Sequence, residues 1–294
     1  MPELLPPSSD IVFRMLFGSP RNIDILLAFL KAALPLPDDD YAELTLLNPF
    51  SENDYPGEKV AILDVRAKTT TGRIINVEIQ MKNHAAMRER IVYYVARMAT
   101  GQMSEAAPYA TLKPSVCILI TDFTLVTEND RYHNRYRLYD PKTASEFTDL
   151  IEINTLELPK LPKAEDGSIL WLWLEFLKTR NKEEMDVLAQ KNPEVKKAVL
   201  RLAELSADEK ARMLHEARLM AEMDAIAYRE DAVREGHAKG HMEGLVEGRV
   251  EGRVEGRVEA RLAVARRLIE RGMSVDEIVA LTELSQADII ALMH

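Results

Sequence analysis

The chain has 294 residues and a formal net charge of -10. That length suffices for one domain with a full core plus a helical extension, and the acidic balance excludes a protein that coats DNA through bulk positive charge. No run of about 18 apolar residues occurs, so no membrane span is expected.

The N-terminus, MPELLPPSSD, lacks the basic, apolar and small-residue regions of a signal peptide. Cys117 is the single cysteine and lies inside the apolar run VCILI, so it reads as a small buried hydrophobe. A reducing, cytoplasmic home is the expectation.

A helix is predicted over about Ser9 to Ala33, broken near Gly18-Ser19-Pro20. Leu16, Phe17, Ile23, Leu26, Leu27 and Leu30 form its core face. PLPDDDY reads as a loop. Strands follow near Glu43 to Asn48, Val60 to Lys68 and Ile74 to Gln80, with TTTG (Thr69 to Gly72) as the turn between the last two.

The stretch KVAILDVRAKTTTGRIINVEIQMK, Lys59 to Lys82, carries the chemistry. Successive side chains in a strand alternate faces, so Ile62, Asp64 and Arg66 share one face and Leu63, Val65 and Ala67 the other. In the next strand Glu78 and Gln80 project together, roughly 6.6 Å apart along the chain. Val77, Ile79 and Met81 then face a core. A hairpin brings Asp64 near Glu78 if the register allows, which the sequence leaves open. Two carboxylates that meet in this way can hold a divalent cation. Equally, they can be solvated positions paired with Arg66, Lys68 or Arg73.

Met87 to Glu105 reads as a helix, with Ile91, Tyr94, Val95, Met98 and Met103 at helical spacing. Ser115 to Phe123 is a continuous apolar run, as expected of a central strand covered on both faces. Tyr136 to Tyr139 and Thr148 to Leu158 are further strands. A mixed sheet with helices on both faces is the natural assembly.

From about Gly167 the strand signals stop and helical periodicity takes over. Trp171 and Trp173 are two apart and cannot share one helical face. One is expected to pack on the domain and the other to be partly exposed or to meet a partner. Glycine then recurs at 236, 240, 244, 248, 252 and 256. Each costs a helix interior about 1 kcal/mol relative to Ala. Glu243, Glu247, Glu251, Glu255 and Glu259 follow one stripe, and Arg249, Arg253, Arg257 and Arg261 another. Like charges at i,i+4 repel within one helix, whereas two copies can pair Glu stripe with Arg stripe. Either a self-associating, conditionally ordered helix or a flexible linker fits this repeat.

The tail carries clean punctuation. Gly272 can end one helix, Ser274-Val-Asp-Glu277 caps the next, and Ser285-Gln-Ala-Asp288 caps a third. The last helix has no Lys or Arg, which is poor chemistry for a DNA groove, so a packing or oligomerisation cap is favoured.

The order of these pieces resembles the PD-(D/E)XK nuclease fold and, more specifically, the recombination-promoting nucleases, also described as PD-(D/E)XK family transposases. SDIVFRMLFG resembles the family's opening helix, LDVRA and VEIQM its metal motif, and RIVYYVARM its Arg-x-x-x-Tyr helix. YATLKPSVCILITDF resembles the buried strand that follows, and EINTLELPKL the closing ELPK strand.

This resemblance implies a restriction-endonuclease-like α/β core, a mixed sheet flanked by helices, with an all-α C-terminal extension. It implies a metal-dependent DNA endonuclease linked to recombination, mobile elements or phage defence. Asp64 and Glu78, with the Ile79 carbonyl, would ligate Mg2+, with Mn2+ or Ca2+ as alternatives. Gln80 stands where the parent motif commonly has Lys, and Glu-x-Gln is usual in the family resembled. Asp10, Lys82, Arg90 and Tyr94 are accessory candidates.

The expected divisions are a nuclease-like domain over 1–165, a helical region over 166–235, the glycine repeat over 236–261 and a small helical cap over 262–294. DNA and further copies of the chain are the expected partners. The competing reading is a nuclease-fold scaffold that acts through C-terminal self-association.

Overall fold

In a computed structural model, residues 3–48, 65–104 and 108–293 are described. The strands are β1 (Leu44–Leu46), β2 (Val65–Thr69), β3 (Ile74–Gln80), β4 (Ser115–Thr121), β5 (His133–Tyr139) and β6 (Glu146–Glu157). They form one mixed sheet in the order β1-β2-β3-β4-β6-β5. β3, β4 and β6 run parallel to their neighbours in that trio, and the outer pairings are antiparallel.

The β2–β3 hairpin follows from its turn. Gly72 sits at φ +94°, a region that L side chains rarely adopt. A Cβ there would also crowd Lys113 at 3.1 Å. Thr69 N donates to Arg73 O at 2.9 Å and closes the loop. The resulting register sets Val65 opposite Val77 and Ala67 opposite Ile75.

Alternation along the strands builds two cores. Ile75, Val77, Ile79, Val116, Ile118, Ile120 and Leu156 face one way. They meet α1 (Asp10–Phe17), α2 (Ile23–Ala33), α4 (Ile169–Lys178) and α6 (Pro193–Ala207). On the opposite face Cys117 and Leu119 pack on Met87, Ile91, Val95 and Met98 of α3 (Met87–Thr100). Every residue of β4 is buried, as a strand covered on both faces requires.

The three helices that directly follow the sheet belong to the first core. α5 (Lys182–Lys191) and α6 are capped by Asn181 and Asn192, whose side chains accept backbone amides, and Pro193 opens α6. The tryptophan expectation is corrected here: Trp171 and Trp173 are both buried. Residues Leu170 to Leu174, Phe176 and Leu177 are all buried, so α4 is covered nearly all round and two opposite faces can each bury a ring. Trp173 joins Phe17, Phe29 and Phe176 with centroids 5.9 to 6.1 Å apart. Trp171 Nε1 donates to Pro162 O at 2.9 Å.

The chain forms two compact units, Met1–Ala221 and Glu222–His294. α7 (Glu209–Glu270) begins in the first and ends in the second. The glycine repeat is helical throughout, and a Cβ added at any of its six glycines would meet nothing within 4 Å.

The second unit closes as a small trihelical cluster. Gly272, at φ +77°, ends α7. Ser274 and Glu277 form a capping box for α8 (Val275–Thr282), and the Ser285 and Asp288 side chains bond at the start of α9 (Gln286–Met293). Ala265, Ile278, Leu284 and Ile289 are its buried centre.

Candidate active site

Glu78 projects from the α3 side of the sheet and is 6% exposed. A buried carboxylate must be paired or hydrogen-bonded to be tolerated. Its Oε1 accepts from Gln80 Nε2 at 2.8 Å and from Arg90 Nη2 at 2.9 Å. Gln80 therefore reaches back along its own strand face, as the two-residue repeat requires. Arg90 comes from the first turn of α3, directly above.

Tyr94 lies one helical turn beyond Arg90. Arg90 Nε donates to Tyr94 Oη at 3.0 Å, and the guanidinium carbon stands 5.2 Å from the ring centroid. The guanidinium is thus held at two points, and its orientation towards Glu78 is fixed. Its side chain remains 36% exposed. Arg90–Tyr94 and Glu78–Gln80 form one connected constellation.

The other candidates lie as follows. Asp64 lies outside the described residues. Ile79 points its side chain into the first core, as alternation demands. Lys82 is exposed and lies beyond the end of β3, so it does not continue the strand face of Gln80. Asp10 is the first residue of α1 and accepts from Arg218 Nε at 2.8 Å and Nη2 at 2.5 Å. Among the described residues no three His, Cys, Asp or Glu side chains group as a metal site.

Other basic residues near the motif in sequence have partners of their own. Arg73 pairs with Asp40 at 3.6 Å and Asp149 at 3.9 Å. Arg66 Nε donates to Asn76 at 3.4 Å. Arg88 binds Glu128 through its two terminal guanidinium nitrogens, each at 3.0 Å.

A family model for the PD-(D/E)XK nuclease family transposases matches residues 7–232. The chain belongs to this family. The mixed sheet flanked by helices is consistent with the PD-(D/E)XK nuclease fold, and membership supports a nuclease- or transposase-like role. No curated protein and no solved structure matches the chain. The matched span takes in the whole PD-(D/E)XK sheet, the Glu78 constellation and α4 to α6. Among the described residues no helix is long and apolar enough to cross a membrane.

Sequence reasoning missed two residues near the site. Glu157 is fully buried at the end of β6, and Lys160 follows it. Their only signal was the ELPK string, and their contacts lie about thirty residues away in sequence.

Proposed function

We propose that the chain is a metal-dependent DNA endonuclease whose centre comprises Asp64, Glu78 and the Ile79 carbonyl. The observation that carries this reading is Glu78 itself. It is a buried carboxylate on a sheet face, oriented by Gln80 and by an arginine from the facing helix. The β2–β3 register, Val65 opposite Val77, is the one that an Asp64–Glu78 pair requires.

The assigned donors are all oxygen, which suits a hard cation such as Mg2+, with Mn2+ or Ca2+ as alternatives. When bound, the cation would polarise the scissile phosphate and acidify a water. The protein residues have separable tasks. Gln80 spends its amide N–H on Glu78 and has no ionisable proton, so it orients rather than acts as base. The positive charge that a lysine at position 80 would bring comes instead from Arg90, fixed by Tyr94. The exposed part of Arg90 is suited to a DNA phosphate. Lys82, exposed after β3, is a second phosphate contact. Asp10 serves the fold, through Arg218.

Nicking of supercoiled plasmid with Mg2+, Mn2+ or Ca2+, against a chelator control, tests the activity. Cleavage that needs the metal is expected. No cleavage with any metal favours the scaffold reading.

Self-association through α7 belongs to the same proposal. Two copies would approach closely at the glycine stripe, where an added Cβ meets nothing within 4 Å, and pair Glu stripe with Arg stripe. A cytoplasmic setting and a link to recombination, mobile elements or phage defence complete the reading.

A further inference from the structure

We propose that Glu157 and Lys160 form a positioning clamp that sets the first turn of α3, and with it Arg90, against Glu78. The clamp works through residues 122–129. Its catalytic consequence rests on the metal-site reading above.

Glu157 stands in the row Gln80–Thr121–Glu157 across β3, β4 and β6. Its Oε2 accepts from Leu125 N at 2.8 Å and Val126 N at 3.2 Å, and pairs with Lys160 Nζ at 3.2 Å. Lys160, 9% exposed, donates to the carbonyl of Asn129 at 2.8 Å and to that of Val126. One ion pair thus satisfies inward-turned amides and carbonyls of a segment without regular structure. Apolar side chains could fill that space but could not satisfy those groups.

The clamped segment is tied to the site at three points. At its root, Asp122 N donates to Gln80 O at 3.1 Å. In its middle, Phe123 and Leu125 pack on the cluster of Met87 and Ile91 from α3. Arg88 Nη2 donates to Leu125 O at 2.9 Å and Arg88 also grips Glu128. Hydrogen bonding to Arg88 pulls the Glu128 carboxyl down to about 2. Arg88 and Arg90 leave the helix about 200° apart. Glu78 therefore holds the first turn of α3 on one side and the clamped segment holds it on the other.

Two substitutions in the full chain test this. Glu157→Gln removes the charge opposite Lys160 but keeps an acceptor oxygen. Arg88→Gln cuts the tie to α3 at an exposed side chain, so it leaves the cores intact. The readouts are amide hydrogen exchange and steady-state nicking with Mn2+. Glu157→Gln is expected to speed exchange at residues 122–129 and 87–91 and to leave α4 to α6 unchanged. Arg88→Gln is expected to speed exchange at 87–91. Both should lower kcat about tenfold with KM for DNA unchanged, since small misplacements of a positioned group carry such costs.

Unchanged exchange at 87–91 in both variants would overturn the clamp. So would a rise in KM at constant kcat in Arg88→Gln, because that would make Arg88 a DNA contact. Should Glu157→Gln fail to fold, Arg88→Gln decides alone. If the wild type nicks with no metal, the site reading fails, and the exchange data still decide the clamp.

Discussion

Glu78 is the residue on which the proposed chemistry turns, and its burial makes its partners consequential. Removing one member of a buried pair leaves an uncompensated charge. Arg90→Met is expected to lower stability by about 1–3 kcal/mol and to lower nicking. Arg90→Lys should be intermediate, because it keeps the charge but loses the planar fork that binds Tyr94 and Glu78 together. Thermal unfolding and nicking rates measured side by side would check both.

A second buried carboxylate, Glu152, gives a pH prediction. Burial alone would raise its pKa, but hydrogen bonds from Arg135, Asn154 and Arg137 outweigh this and hold it below the usual carboxylate range. A depressed folded pKa stabilises above the unfolded value and is lost as pH falls through the folded one. Unfolding followed from neutral pH into acid should show that loss, with a shallower slope in Glu152→Gln. An identical slope in both proteins would rule Glu152 out as its source.

At the scale of elements, aromatic packing dominates the first core. Trp173→Ala should cost about 3–5 kcal/mol, as truncation of a large buried ring does, read from denaturant midpoints. The glycine repeat behaves in the opposite way. Replacing Gly244, Gly248, Gly252 and Gly256 by Ala adds about 1 kcal/mol of helix propensity at each position, and nothing within 4 Å obstructs the new methyl groups. Circular dichroism should show a helix that melts later. If copies approach at the glycine stripe, the same four changes should weaken association in sedimentation.

Much of this element structure was legible in the sequence. β3 runs over Ile74–Gln80, as expected, because the alternation of Ile75, Val77 and Ile79 with polar residues and a glycine turn act locally. The break between α1 and α2 and the caps of α8 and α9 were legible for the same reason. What stayed hidden depends on distant partners. The second buried tryptophan needs a helix enclosed on several sides. The partner of Asp10 lies 208 residues away. The contacts of Glu157 with the 122–129 segment cannot be read from the ELPK string alone. Arg90 was singled out only through family resemblance, since nothing in its spacing tells that it reaches Glu78.

For the molecule as a whole, the proposed function has a PD-(D/E)XK sheet supply the carboxylate and a helix supply the cation that the motif lacks at position 80. With a net charge of -10, the proposed function has DNA met locally, by Arg90, Lys82 and a bound metal, rather than by a basic surface. Cleavage should consequently fall steeply when the metal is chelated. The most direct measurement is nicking of supercoiled plasmid with Mg2+ or Mn2+ by the wild type, Asp64→Ala and Glu78→Ala. Metal-dependent nicking by the wild type, reduced at least about a hundredfold in each variant, is predicted. Equal nicking by all three proteins would contradict the assigned centre.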